Sequence, residues 1–158
     1  MRIGHGYDVH RFKDGDGLYI GGVKIPYDKT FIAHSDGDVL IHAICDALLG
    51  AAGERDIGNL FPDNSPEFEN IDSKILLKRV ADVLDNKGFY IEYIDCTVIA
   101  QAPKMASYIP TMRATLAKTL GIDTDFINVK ATTEEKLGFT GRKEGISAHS
   151  VCILKDKK

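Results

Sequence analysis

Alternation, clustering and interruption of apolar positions divide this chain into elements. Arg2 to His10 reads as a first strand. Leu18 to Ile25 is strand material broken at Gly21-Gly22, which predicts a hairpin or a bulge, and Ile25-Pro26-Tyr27 then turns the chain. From Asp36 to Leu49, apolar residues recur at Val39, Leu40, Ala43, Ile44, Ala47 and Leu48, the spacing of a helix. Ser35 or Asp36 suits its N-cap, and Gly50 or Gly53 its end. Arg55 to Pro66 holds the breakers Gly58, Pro62, Asn64 and Pro66 and reads as loop. A second helix is predicted over Asp72 to Asn86, ending at Gly88. Tyr90 to Ala100 alternates as a long strand, and a third helix runs from about Met105 to Leu120 before Gly121. Phe126 to Ala131 is another strand, Leu137 to Gly145 a glycine-containing loop, and Ile146 to Leu154 a closing strand.

This order predicts an α+β fold, an α/β sandwich in which a mixed sheet carries helices on one face. The closing strand puts Ile146, Ala148, Ser150, Cys152 and Leu154 on one side and Ser147, His149, Val151 and Ile153 on the other. Both sides are partly apolar, so a second chain is expected to cover one of them, making a homo-oligomer. No repeat, low-complexity segment or linker divides the sequence, and residues 1–158 are expected to form a single domain. A chain of this length buries roughly 70% of its unfolded surface.

With 44% hydrophobic and 27% charged residues, the composition is that of an ordinary globular protein. The net charge of −3 gives no basic footprint for nucleic acid. The tail Lys155-Asp156-Lys157-Lys158 reads as a solvated, frayed end. The longest apolar stretch, Val39 to Leu49, is interrupted by His42 and Asp46, so no membrane span is expected. The first residues enter a strand with no charged-then-apolar signal segment, and a cytoplasmic location is the expectation. Cys45, Cys96 and Cys152 lie in apolar stretches with no Cys-x-x-Cys and read as buried, reduced thiols.

Five strings could carry chemistry. Asp8 and His10 are two apart on a strand and share a face, and His42 lies in a helix. Together they offer the nitrogen and oxygen ligands that zinc accepts, with one tetrahedral position left open as in catalytic sites. Asp38 or Asp46, four residues from His42, could hold its second ring nitrogen. The competing reading is a polar helix face beside a strand. Ala33-His34-Ser35-Asp36-Gly37-Asp38 precedes the helix and suits either a phosphate at the helix N-terminus or plain capping by Ser35 or Asp36. Asp56-Ile57-Gly58-Asn59-Leu60-Phe61-Pro62-Asp63 is an acidic loop that could bind hydroxyls, or a plain turn. Gln101-Ala102-Pro103-Lys104-Met105 could accept a flat base with Lys104 near a phosphate, or simply be a strand end before a Pro-initiated helix. Ala131-Thr132-Thr133-Glu134-Glu135-Lys136, followed by Gly138-Phe139-Thr140-Gly141-Arg142, suits a diphosphate with a hard divalent cation, or a capping box.

Taken together and in this order, the strings resemble the 2-C-methyl-D-erythritol 2,4-cyclodiphosphate synthase family of non-mevalonate isoprenoid biosynthesis. The resemblance runs from Arg2-Ile3-Gly4-His5-Gly6-Tyr7-Asp8-Val9-His10 through Ala33 to Asp38, Asp56-Ile57-Gly58, Phe61-Pro62-Asp63 and Ala131 to Glu135, and ends at Gly141-Arg142. It implies a homotrimer, with the open sheet face packed at its centre and active sites between subunits. It also implies Zn2+ on Asp8, His10 and His42, and Mg2+ or Mn2+ near the diphosphate with Glu135 as protein ligand. His34 and Ser35 would lie near the phosphates, with Asp56, Gly58, Phe61 and Asp63 about the methylerythritol. Ala100, Pro103, Lys104, Met105, Ala131 and Thr133 would frame the cytidine, with Thr132 by the phosphates. His34, Thr133 and Lys104 are the implied catalytic residues. Tyr7 stands where many members carry phenylalanine. In the family that residue, with Phe139 and Arg142, lines a cavity on the trimer axis that can hold an isoprenoid diphosphate.

The implied reaction is intramolecular. The 2-phosphate of 4-diphosphocytidyl-2-C-methyl-D-erythritol 2-phosphate attacks the β-phosphorus, and CMP leaves. The substrate brings its own nucleophile, so none is required of the protein. Two other readings of the residues compete: a zinc phosphohydrolase that activates water at the open position, and a non-catalytic binding protein with a structural metal.

Overall fold

A computed structural model describes residues 1–158. The main sheet has five strands: β1 (Arg2–Asp14), β4 (Lys29–Phe31), β5 (Phe89–Ile99), β6 (Ile127–Thr132) and β7 (Gly145–Asp156). Their order is β4-β1-β7-β5-β6. The β5–β6 pair is parallel and the other pairs antiparallel, so the sheet is mixed, as expected. Strands β2 (Leu18–Ile20) and β3 (Val23–Ile25) form the hairpin that Gly21-Gly22 foretold. Both glycines have left-handed φ, 61° and 75°, which a tight two-residue turn requires.

Three long helices cover one face: α1 (Val39–Ala52), α3 (Ser73–Asn86) and α4 (Ile109–Leu120). Between them in the chain lie the short α2 (Ile57–Leu60) and, later, α5 (Gly138–Gly141). Helix α1 is buried nearly all round; only His42, Asp46 and Gly50, spaced four apart, form a less buried stripe. It lies directly on β1 because Gly4 and Gly6 have no side chain. A Cβ at Gly6 would sit 1.8 Å from the Ala43 carbonyl oxygen, and one at Gly4 1.9 Å from that of Ala47. This close approach brings His42 to the level of Asp8 and His10. On the helix face, Ile94, Cys96, Val98, Ile146, Ala148 and Leu154 join a core of 37 buried residues. The opposite face stays open, with Tyr7, Val9, Tyr93 and Val151 each 40% exposed or more.

Several boundaries differ from the sequence reading for identifiable reasons. The N-cap of α1 is Asp38, not Ser35 or Asp36: its carboxylate accepts from the Ile41 N–H and also from those of Gly21 and Gly22, so hairpin and helix share one cap. Strand β4 went unread because it shows a single apolar residue, Phe31, which pairs with Phe12. The loops predicted at Arg55–Pro66 and Leu137–Gly145 each contain a helical turn. In the first, Asp46 accepts from the Ile57 N–H at 2.8 Å. Pro103 starts no helix; a 3-10 turn over Ala106–Tyr108 leads into α4, whose first turn holds Pro110. The tail is not frayed: β7 runs to Asp156, Lys155 pairs with Glu92 at 2.6 Å and Lys157 with Asp85. All three cysteines are buried and unpaired, as expected. No helix is long and apolar enough to cross a membrane.

Candidate functional site

The pleat of β1 turns Asp8 and His10 toward the helices, and His42 meets them from α1. Asp8 Oδ2 lies 2.8 Å from His10 Nε2 and 3.2 Å from His42 Nδ1, and the two nitrogens are 3.2 Å apart. Three ligand atoms about 2 Å from one zinc ion have separations of this size, so the donor set and its geometry fit the metal. Phe31 of β4 packs against His10, with ring centroids 5.7 Å apart, and steadies it from the side.

Charge is concentrated here. Burial alone would raise Asp8, yet hydrogen bonds from His10 and His42 outweigh it and bring its pKa down to about 2. Burial pulls His42 down, but the hydrogen bond and charge of Asp8, with Asp38 and Asp36 behind, move it above its ordinary value. Burial and the charge of Asp36 push Asp38 up to about 6, against three backbone N–H donors that favour its anion.

The second nitrogen of His42 is not held by Asp38 or Asp46. Asp38 caps α1 and Asp46 accepts from Ile57. Nε2 instead lies 2.9 Å from Ser73 Oγ and 3.3 Å from Ser35 Oγ. Sequence reasoning missed Ser73. It opens a helix that starts 31 positions further on, and its residue type there signals only a helix start.

A cavity of about 350 Å3 opens beside the three ligands. Of the residues singled out from sequence, Asp8, His10, His34, Ser35, His42, Gly58, Phe61 and Asp63 line it. Ile32, Phe68, Ile71 and Leu76 supply apolar wall that the sequence did not mark. Asp56 does not line it; its side chain caps α2 through the Asn59 N–H at 2.8 Å.

The remaining predicted residues gather elsewhere, on a rim at the C-terminal ends of the parallel pair β5 and β6. Ala100 N–H donates to Thr132 O at 3.0 Å, and Lys136 N–H to Gln101 Oε1 at 3.0 Å, so Ala100 to Met105 and Ala131 to Glu135 form one edge. Thr133 Oγ1 accepts from the Glu135 N–H in a tight turn, with Glu135 at φ 55° and Lys136 at φ 66°. Of the two readings of this string, the capping box is not formed: the next helical turn begins at Gly138, and Glu134 accepts from the buried Thr140 hydroxyl. Arg142 Nη2 pairs with Glu144 at 2.9 Å, and Phe139 is partly exposed. None of Ala100, Pro103, Lys104, Met105, Ala131, Thr132, Thr133, Glu135, Phe139 or Arg142 lines the cavity of the same chain.

The arrangement has close counterparts. A protein of Pseudomonas entomophila named 2-C-methyl-D-erythritol 2,4-cyclodiphosphate synthase is 59% identical over 154 residues, covering 98% of both chains. A protein of the same name from Thioalkalivibrio sulfidiphilus is 58% identical over 98% of this chain and 96% of its own. IspF of Plasmodium falciparum, solved in complex with CDP, superposes with a TM-score of 0.87 at 39% identity, over 99% of this chain and 97% of that one. The bifunctional IspDF of Campylobacter jejuni superposes with a TM-score of 0.94 at 47% identity; 98% of this chain is covered, and it spans 42% of that longer protein. The sequence pattern of the YgbB family matches residues 1–155, and the chain belongs to that family.

Proposed function

We propose that this chain catalyses the metal-dependent intramolecular cyclisation of 4-diphosphocytidyl-2-C-methyl-D-erythritol 2-phosphate to 2-C-methyl-D-erythritol 2,4-cyclodiphosphate, with release of CMP. It is a phosphorus–oxygen lyase of non-mevalonate isoprenoid biosynthesis, working in the cytoplasm. The observation that carries this reading is the convergence of Asp8, His10 and His42 at the wall of a cavity that also presents His34 and Ser35. The names of the relatives agree with it.

The chain's residues have a positioning task. The 2-phosphate oxygen forms a bond to the β-phosphorus while the bond from that phosphorus to the CMP oxygen breaks, so no protein nucleophile is consumed. His34 and Ser35 hold the phosphates beside the metal ligands, and Gly58, Phe61 and Asp63, with Asp56 near them, shape the space for the methylerythritol. Zinc on Asp8, His10 and His42 supplies Lewis-acid neutralisation of the phosphates when bound. Bringing both reacting groups together in one folded substrate contributes on the order of 7–11 kcal/mol in good intramolecular systems.

The rim completes the reading. Ala100, Pro103, Lys104, Met105, Ala131 and Thr133 frame the cytidine, Thr132 supports the phosphates, and Glu135 holds magnesium or manganese. Thr133 and Lys104 act with His34 in catalysis. No rim residue lines the cavity of its own chain, and the sheet face opposite the helices is open and partly apolar. A homotrimer packed through that face answers both facts, with each site drawn from two subunits. Tyr7, Phe139 and Arg142 would then border a central cavity for an isoprenoid diphosphate.

Phosphorus NMR of the products tests the proposal. A cyclic diphosphate with CMP is the expected outcome. Linear phosphates with free inorganic phosphate would establish a zinc phosphohydrolase instead, and no turnover would leave a binding protein with a structural metal.

A further inference from the structure

Behind the metal ligands runs a short polar chain that the reaction does not touch. His42 Nε2 lies 2.9 Å from Ser73 Oγ, and Ser73, fully buried, hydrogen-bonds through its hydroxyl to Asp36 Oδ1. Asp36 is fixed in turn. Its Oδ2 accepts from the Ser73 N–H at 2.9 Å, its Oδ1 from the Asp38 N–H at 3.0 Å, and its own N–H donates to Ile71 O at 3.2 Å.

The direction of this chain follows from its end. An ionised carboxylate only accepts hydrogen bonds, so the single hydroxyl proton of Ser73 must point at Asp36. Ser73 Oγ can then serve His42 only as an acceptor, and the proton between them must sit on His42 Nε2. A neutral imidazole with its proton on Nε2 carries its lone pair on Nδ1. Nδ1 is the atom that faces Asp8 Oδ2 and His10 Nε2: in the charged ring it donates to Asp8, and in the neutral ring it offers a metal that lone pair. Metal-bound histidines commonly have their other ring nitrogen fixed in this way. Ser35 Oγ, the other group near Nε2, is more distant at 3.3 Å and lines the open cavity, so it is the weaker orienting partner.

We infer that Ser73, oriented by Asp36, is a positioning residue of the metal site: it holds His42 as the Nε2–H tautomer and so presets Nδ1 for zinc. The inference rests on reading Asp8, His10 and His42 as metal ligands. The same chain ties the loop before α1 to the first turn of α3, so the ligand on one helix is referenced to the start of another.

The test uses the full chain, with zinc as the only probe. Competition with a chromophoric chelator should give Ser73→Ala an affinity for zinc about 10- to 100-fold weaker than wild type. The backbone N–H of residue 73 keeps its bond to Asp36 in this variant, so the start of α3 is retained. Asp36→Asn should weaken zinc as well, and the double variant should be no weaker than the worse single one, because both act through one hydrogen-bonded chain. Long-range proton–nitrogen correlation of the metal-free protein, at a pH above the His42 titration, reads the tautomer of the neutral ring directly. Wild type should show His42 protonated at Nε2, and Ser73→Ala a growing share protonated at Nδ1. Unchanged zinc affinity in Ser73→Ala, or a neutral wild-type His42 that carries its proton on Nδ1, would overturn the inference. A wild-type chain that binds no zinc would instead remove the metal reading, while the tautomer measurement still judges the role of Ser73. If Ser73→Ala fails to fold, the wild-type tautomer and Asp36→Asn decide.

Discussion

The cavity and the strand-end rim are built by opposite means. Around the cavity, polar groups are buried and fully engaged: Asp38 serves three N–H groups, Ser73 joins His42 to Asp36, and no buried side-chain nitrogen or oxygen in the chain lacks a partner. On the rim, Thr133, Glu135 and Lys104 are exposed, held by a few backbone bonds and a turn with two residues in the left-handed region. The contrast teaches that one chain suffices to converge the metal ligands. The rim presents its groups on open surface. Buried, satisfied networks fix geometry; exposed turns offer contacts that a ligand or another subunit must complete.

The largest effect should come from the cavity. His42→Ala removes one of three ligands, and zinc content should fall to background. Lewis-acid stabilisation is worth several kcal/mol, so turnover should drop about a thousandfold. Metal analysis and phosphorus NMR measure both, and zinc retained at wild-type level would remove His42 from the site. A smaller loss, about a hundredfold, should follow Val151→Asp on the open sheet face. Val151 is 44% exposed, so the new charge stays solvated in the folded chain; opposite Asp95 it costs no more than about 1 kcal/mol, and it repels a packed copy. Light scattering should show a monomer that still binds zinc but cyclises at that reduced rate. A fully active monomer would break the comparison, because rim and cavity would then serve one site without a partner.

The third effect concerns stability. Gly6→Ala drives a methyl group against the Ala43 carbonyl, so α1 must move away from β1. Overpacking of this kind costs about 3 kcal/mol, or a melting temperature lower by about 6–12 °C. Because the same contact aligns His42 with Asp8 and His10, zinc affinity should fall with it. The equivalent change at Gly50, where an added Cβ meets nothing within 4 Å, should leave zinc affinity unchanged.

These regions were unequally legible in the sequence. Asp8 and His10 could be paired because strand periodicity puts i and i+2 on one face, and the apolar spacing of α1 placed His42 on a helix. The mixed sheet and its one-sided helices followed from element order. Ser73 and Asp36 could not be read, since their meeting depends on how α3 docks against the loop before α1. Asp38 was mistaken for a helix residue because its cap also serves a hairpin that tertiary packing brings to it. Strand β4 and the turns α2 and α5 are too short to show periodicity, and contacts such as Asp46 to Ile57 hold them. The separation of rim from cavity was likewise invisible in motif order, because it is set by where the strands end.

The smallest effect separates the two states of the metal site by pH. In the metal-free protein, Asp8 sits near pKa 2 against an ordinary 3.8, so its contribution, about 2 kcal/mol, is present above pH 4 and lost as pH falls toward 2. Asp38, raised to about 6, acts with the opposite sign and withdraws stability between pH 4 and 6. Above pH 6.5, His42 governs. Its folded pKa is raised, so the stabilisation from its pairing with Asp8 is complete below 6.5 and fades as pH climbs through the raised value. The melting temperature of metal-free protein should therefore decline from pH 6.5 to 8. Zinc reverses the trend, because it requires neutral imidazoles and competes with their protons. The increment in melting temperature on adding zinc should thus grow over the same interval. Asp8→Asn, which removes the largest of the causes that raise His42 against its burial, should flatten the metal-free slope and abolish most of the zinc increment. Calorimetric scans at pH 6.5, 7 and 8 with and without zinc check all three. A metal-free melting temperature that rises across this interval would mean that His42 and Asp8 do not share a proton-linked contact, and the ready-made geometry attributed to the cavity would fail with it.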